Sequence, residues 1–161
     1  MRVTLPLEVR YAETDQMGVA HHAAYVVWME AARVEFLKRV GSPYHELERS
    51  GVRLPVVELR VTYRAPASFG QVVQVSCEVQ DVRSRAATFR YAVEAEGRRL
   101  AEGYTRHVCC DGQGRAIPLP EALRRLLEGA SSADRSGPPG HQGELLYNRP
   151  SRPRTTGRGR W

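Results

Sequence analysis

The chain has 161 residues, 42% of them hydrophobic and 26% charged, with a formal net charge of +6. This is the length of one domain with a single sizeable core. No apolar run is long enough to span a bilayer, and the opening MRVTLPLEVRYAE alternates where a leader peptide would be continuously apolar. A cytoplasmic protein without membrane insertion is therefore expected. Cys77, Cys109 and Cys110 are odd in number and contain no CxxC, which argues against a disulfide framework and for small buried side chains. From Gly129 to Trp161 six arginines face only Asp134 and Glu144, so +4 of the charge sits in that stretch and a nucleic-acid role has nothing else behind it. No nucleic-acid partner is expected.

Residues 2–10 alternate at Val3, Leu5, Leu7 and Val9, which predicts a strand, and Pro6 predicts an edge position or a bulge. Residues 11–21 predict a loop, with Thr14, Asp15 and Gly18 as turn formers. Residues 22–40 predict a long helix with two apolar strips. One runs through Tyr25, Met29, Ala32, Phe36 and Val40, the other through Val27, Ala31 and Val34; charged residues are few until Arg33, Glu35, Lys38 and Arg39. A helix apolar over most of its girth is covered on more than one side. Gly41 suits the position after its end. Ser42 as cap and Pro43 as first residue predict a short helix ending near Gly51.

From Leu54 onward the pattern is strand after strand. Val56–Tyr63, Val72–Val82, Ala86–Ala95 and Leu100–Cys110 alternate, and Glu96-Gly97-Arg98 predicts a tight hairpin. Residues 118–128 predict an amphipathic helix with Leu119, Leu123, Leu126 and Leu127 on one side. Two regions are expected: a domain over 1–128, and a Gly/Pro/Arg-rich, disordered tail over 129–161. The plan is α+β, one helix to be wrapped by one five-stranded antiparallel sheet. One sheet cannot cover the whole helix, so a second subunit is expected to bury the rest.

The chemistry concentrates before the long helix. A carboxylate, a glycine turn, two histidines and a tyrosine crowd residues 15–25. Asp15 can attack a carbonyl or activate water, and it can equally cap the Gly18 turn. Tyr25 can line a pocket or serve as a core tyrosine with a satisfied hydroxyl. Glu30 is a second carboxylate, for which an ion pair with Arg33 is the simpler reading. No cluster with metal-ligand spacing is present, so no metal is expected.

The run Val9-Arg10-Tyr11-x-Glu13-Thr14-Asp15-x-x-Gly18-Val19-x-x-His22-x-x-Tyr25-x-x-Trp28-x-Glu30-x-Ala32-Arg33 resembles the opening of the 4-hydroxybenzoyl-CoA thioesterase family. Arg64-Ala-Pro-Ala67 followed by Gly70 resembles its later turn. Within the family the chain is most similar to bacterial acyl-CoA thioesterases, including those associated with the Tol-Pal system. The resemblance covers about residues 3–127. It implies a hot-dog fold, hydrolysis of the acyl-CoA thioester and a homo-oligomer with the dimer as minimal unit and a tetramer as the common form. It implies no cofactor, CoA being part of the substrate. By resemblance Asp15 is the catalytic carboxylate and the backbone N–H of His22 holds the oxyanion. Glu30, eight residues after His22, matches the alternative carboxylate of a second branch. Gly18, Val19, Tyr25, Trp28 and Arg64 fall in the substrate-binding region. Arg60, Arg64, Arg83 and Arg85 are candidates for the CoA phosphates. A non-catalytic acyl-CoA-binding module on the same fold is the alternative. A dehydratase of this fold would need a glycine- and proline-rich helix entry, which the chain lacks.

Overall fold

A computed structural model describes residues 1–132 of the protein. Strand β1 (Arg2–Glu8) is followed by one turn of 3-10 helix at Tyr11–Glu13, the long helix α1 (His22–Arg39) and the short helix α2 (Tyr44–Arg49). Strands β2 (Val56–Tyr63), β3 (Val72–Val82), β4 (Ala86–Ala95) and β5 (Arg98–Val108) follow, then helix α3 (Glu121–Ser132). The five strands form one antiparallel sheet in the order β1-β3-β4-β5-β2. The α+β plan is as the alternation predicts, and β1 is an edge strand, the position where Pro6 costs no ladder bond. Glu96 and Gly97, both with positive φ, join β4 to β5 as a two-residue hairpin of the kind that matches strand twist.

Several expectations shift. Pro43, not Ser42, caps α2, and Ser42 is buried behind it. β5 ends at Val108, so Cys109 and Cys110 leave the strand and can both be buried despite being adjacent. Helix α3 starts three residues later than the pattern suggests and continues through Gly129 to Ser132. The reason is that Ala130 is buried and its carbonyl accepts a hydrogen bond from the N-terminal amine of Met1. Leu119, Leu123 and Leu127 are buried there, whereas Leu126 is exposed. The expectation of a disordered tail otherwise falls on residues 133–161, outside the described residues.

The core lies between α1 and the sheet. Tyr25, Met29, Ala32, Phe36 and Leu37 of α1 meet Val73, Val75, Cys77, Phe89, Tyr91 and Val93 of β3 and β4. Burial of each large side chain contributes roughly 1.5–3 kcal/mol. The second apolar strip of α1 stays bare: Val27 is 55% and Val34 41% exposed. So does edge strand β2, through Val56, Val57, Leu59 and Tyr63.

Arg33, expected on the charged surface, is instead 6% exposed and lies between α1 and the sheet. Its Nη1 is 3.5 Å from the Tyr91 hydroxyl, Tyr91 meets the Thr105 hydroxyl at 2.7 Å, and Thr105 meets Nε2 of His107 at 2.8 Å. His107 Nδ1 reaches the Leu54 carbonyl at 2.8 Å. A guanidinium can only donate and a carbonyl can only accept, so every donor in this chain points from Arg33 toward Leu54. His107 must be neutral to accept from Thr105. Burial, with the Arg33 cation nearby, drives its pKa from 6.5 to about 4, against the hydrogen bond to Leu54. As pH falls, the unfolded chain takes up a proton at about 6.5 and the folded chain only near 4, so folding loses stability across that window. Unfolding free energies from urea titrations at pH 7 and 4.5 are expected to differ by on the order of 2–3 kcal/mol from this group, and His107→Gln, which cannot protonate, should flatten that part of the slope.

Candidate active site

The loop before α1 is a small closed hairpin. The Gly18 N–H donates to the Asp15 carbonyl at 3.0 Å, and Gly18 has φ +75°, which a side chain disfavours. The Asp15 N–H donates to Val19 O at 3.0 Å, and Thr14 bridges to Ala20. Asp15 does cap the turn: its Oδ1 accepts from the Met17 N–H at 2.8 Å. Its other oxygen has no hydrogen-bond partner among the described residues, and the side chain is exposed.

The hairpin delivers the chain to the start of α1. His21 is the N-cap, accepting from the Ala23 N–H through Nδ1 at 3.2 Å and from the Ala24 N–H through its carbonyl at 2.9 Å. Its own N–H donates to Glu13 O at 2.7 Å. His22 is different: its N–H finds no acceptor among the described residues, at the positive end of the helix dipole. The Tyr63 hydroxyl, from β2, donates to His22 O at 2.9 Å and fixes this first turn from the other side.

Asp15, Val19, His22, Tyr25, Tyr63 and Arg64 line a cleft of about 710 Å³ with a mainly apolar wall. An acceptor-only carboxylate and an open amide thus border one apolar space, which is what attack on a carbonyl needs: a group to activate or supply the nucleophile, and a donor for the oxygen that becomes negative. Tyr25 is a core tyrosine with a satisfied hydroxyl, which accepts from Ala67 N–H at 3.0 Å, while its ring walls the cleft. Gly18 lines the far side of Asp15.

The structure does not bring Trp28 or Glu30 to this cleft within one chain. Trp28 is buried under the loop and donates from Nε1 to Glu13 Oε1 at 3.0 Å. Glu30 is exposed on the strip that carries Val27 and Val34, and Arg33, its expected ion-pair partner, is buried elsewhere. Among the candidate phosphate-binding arginines, Arg64 is paired with Glu102 and Arg83 with Asp81, each at 2.7 Å. Arg60 borders the cleft with no ion pair among the described residues, and Arg85 is likewise unpaired there.

Sequence reasoning passed over Glu13, His21 and Tyr63. Glu13 holds the hairpin to the helix: its carboxylate accepts from the Arg10 N–H at 2.9 Å, the Arg10 side chain at 2.8 Å and Trp28. Burial raises its pKa, but the hydrogen bonds from Arg10 and Trp28 outweigh that and hold the carboxyl below the usual range. The Arg10–Glu13 spacing was the available signal. Glu13→Ala is expected to reduce turnover about tenfold by loosening the Asp15 hairpin, and Trp28→Phe, which removes one donor and keeps the packing, should do the same more weakly. Steady-state kinetics of both variants check this.

The model of the thioesterase-like superfamily matches residues 9–127. The chain is 32% identical over 117 residues to the acyl-CoA thioester hydrolase YbgC of Escherichia coli O6:H1, covering 70% of this chain and 87% of that protein. Among solved structures, hypothetical protein TT1821 from Thermus thermophilus aligns with a TM-score of 0.77 and 54% identity, over 81% of this chain and 98% of that one. The DHNA-CoA thioesterase from Staphylococcus aureus aligns with a TM-score of 0.76 and 28% identity, over 82% and 90%. Among the described residues no helix is long and apolar enough to cross a membrane.

Proposed function

The chain belongs to the thioesterase-like superfamily, with its hot-dog fold, and from that premise we propose that it is an acyl-CoA thioesterase that releases a free acid and CoA. The observation that carries the reading is the pairing of Asp15 with the open His22 amide across one apolar cleft. The acyl group sits against Tyr25, Val19 and Tyr63, and the thioester oxygen faces the His22 N–H. Asp15 either takes a proton from water as the water oxygen bonds the carbonyl carbon, or attacks that carbon itself to give an anhydride that water then opens. Either way the C–S bond breaks, the oxyanion re-forms a carbonyl, and the thiolate leaves to become the CoA thiol. No cofactor or metal enters these steps. Arg60 is our first choice for the CoA phosphates, being the cleft arginine not engaged by a carboxylate.

The working unit is a homo-oligomer. A second copy would cover Val27 and Val34 of α1 and the bare edge of β2, and Glu30 on that strip could reach a site only across such an interface. A dimer is the minimum, and a tetramer accounts for further sheet surface. The three buried free thiols fit a reducing cytoplasm. The purified protein, given a set of acyl-CoAs, is expected to release free thiol and carboxylic acid one for one. Tight acyl-CoA binding with no thiol released would mark a non-catalytic binding module instead.

A further inference from the structure

Two large aromatic side chains beside Asp15 take no part in the core. Tyr11 is 79% and Phe69 61% exposed, and their rings meet edge to face at 5.8 Å. Leaving so much apolar surface in water, on a chain with an ample core, marks a place where something is received. The two residues come from different loops, but the loops are stapled together. Val19 bridges to Ser68, the Ala20 N–H donates to Ala67 O at 2.8 Å, and the Gly70 N–H donates to Val9 O at 2.9 Å. The aromatic pair is therefore pre-formed.

Tyr11 and Phe69 flank a cleft of about 770 Å³ whose other walls are Thr14, Asp15, Gln16 and Gly18, a size within the range of about 300–1,000 Å³ usual for ligand sites. Asp15 is the one described residue that borders both this cleft and the apolar cleft holding His22 and Tyr25. A thioester is shaped for such a place. Its trigonal carbon sends two substituents apart, an acyl group on one side and the sulfur arm on the other. The carbonyl oxygen must face the His22 amide, and the cleft around that amide has the apolar walls. The Tyr11–Phe69 cleft adds a hydroxyl from Thr14 and an amide from Gln16 to its aromatic edges, which suits a chain of alternating methylenes and amides.

We propose that the thiol arm of acyl-CoA leaves the reacting carbon across the Tyr11–Phe69 pair, so that acyl group and thiol arm occupy separate clefts meeting at Asp15. This rests on the thioesterase reading above. It makes Tyr11 and Phe69 residues that select for the carrier rather than for the acyl group.

The test compares one acyl group on two carriers: CoA, and N-acetylcysteamine, which keeps only the first amide of the arm. Tyr11→Ala/Phe69→Ala and the milder Phe69→Leu are assayed with the wild type by thiol release, and each protein's oligomeric state is measured. The expected result is a rise in KM for the acyl-CoA of about tenfold in the double variant, several-fold in Phe69→Leu, and a much smaller change in kcat/KM for the N-acetylcysteamine thioester. Equal losses on both carriers would overturn the inference, since the pair would then serve the acyl group or the fold. So would no loss on either, or a change of oligomeric state, which would show the pair to be covered by a second copy. A wild type that hydrolyses neither thioester overturns the thioesterase reading itself, and this inference with it.

Discussion

Asp15→Asn is expected to lower kcat for acyl-CoA hydrolysis by about a thousandfold, or roughly 4 kcal/mol of barrier, with little change in affinity. The substitution isolates the chemistry because the turn survives it. The amide oxygen of asparagine can still accept from the Met17 N–H, as Asp15 Oδ1 does at 2.8 Å, and Gly18 still supplies its positive φ. What disappears is the negative charge of the carboxylate that borders the cleft. An amide can neither hold a proton taken from water nor attack a thioester. Circular dichroism and melting of the variant should match the wild type. A thousandfold loss with an intact fold assigns the carboxylate to the reaction; a wild-type rate would leave Asp15 as a turn cap only.

The second large effect is on stability. Gly103→Ala is expected to cost about 3 kcal/mol and to lower the melting midpoint by on the order of 10 °C. A Cβ built on Gly103 stands 2.2 Å from the Arg60 carbonyl oxygen and 3.2 Å from Val61 Cα. These are backbone atoms of the neighbouring strand, where Gly103 pairs with Val61, so no side chain can swing aside. β2 itself must move away from β5. That movement reaches the site, because β2 carries Tyr63, whose hydroxyl fixes the first turn of α1 at His22. Turnover in the folded fraction is therefore expected to fall as well, and a thermal melt with activity measured well below the midpoint separates the two effects. An alanine variant as stable as the wild type would mean that β2 and β5 stand farther apart.

Much of this architecture was legible in the residues. Period-two alternation marked five strands, although only four of them bury residues in the core and β2 offers it only Val61; the apolar girth of residues 22–40 marked a helix with more surface than one sheet covers. A turn former, a glycine and a helix start within eight residues of one another drew attention to Asp15, Gly18 and His22, but their roles came from the family resemblance of the whole run 9–33. What escaped are relations between distant parts of the chain. Nothing local says that Glu13 would accept from Trp28, or that Tyr63 would reach His22 from 41 residues away. Arg33 was read as surface because residue type suggests charge outward; it is buried because its turn of helix faces Tyr91 and the sheet. Helix α3 outran its expected end because Gly129 disfavours a helix only weakly beside the contacts made by Ala130. The Tyr11–Phe69 pair joins loops 58 residues apart and had no signature at all.

The measurement that bears most directly on the central claim is binding and turnover of the same acyl-CoA by the wild type, Asp15→Asn and Glu30→Gln. The account predicts that all three bind it with similar affinity, that the wild type and Glu30→Gln release thiol at rates within about threefold, and that Asp15→Asn releases almost none. Retained turnover in Asp15→Asn together with its loss in Glu30→Gln would contradict it and move the reaction to a carboxylate on the exposed face of α1.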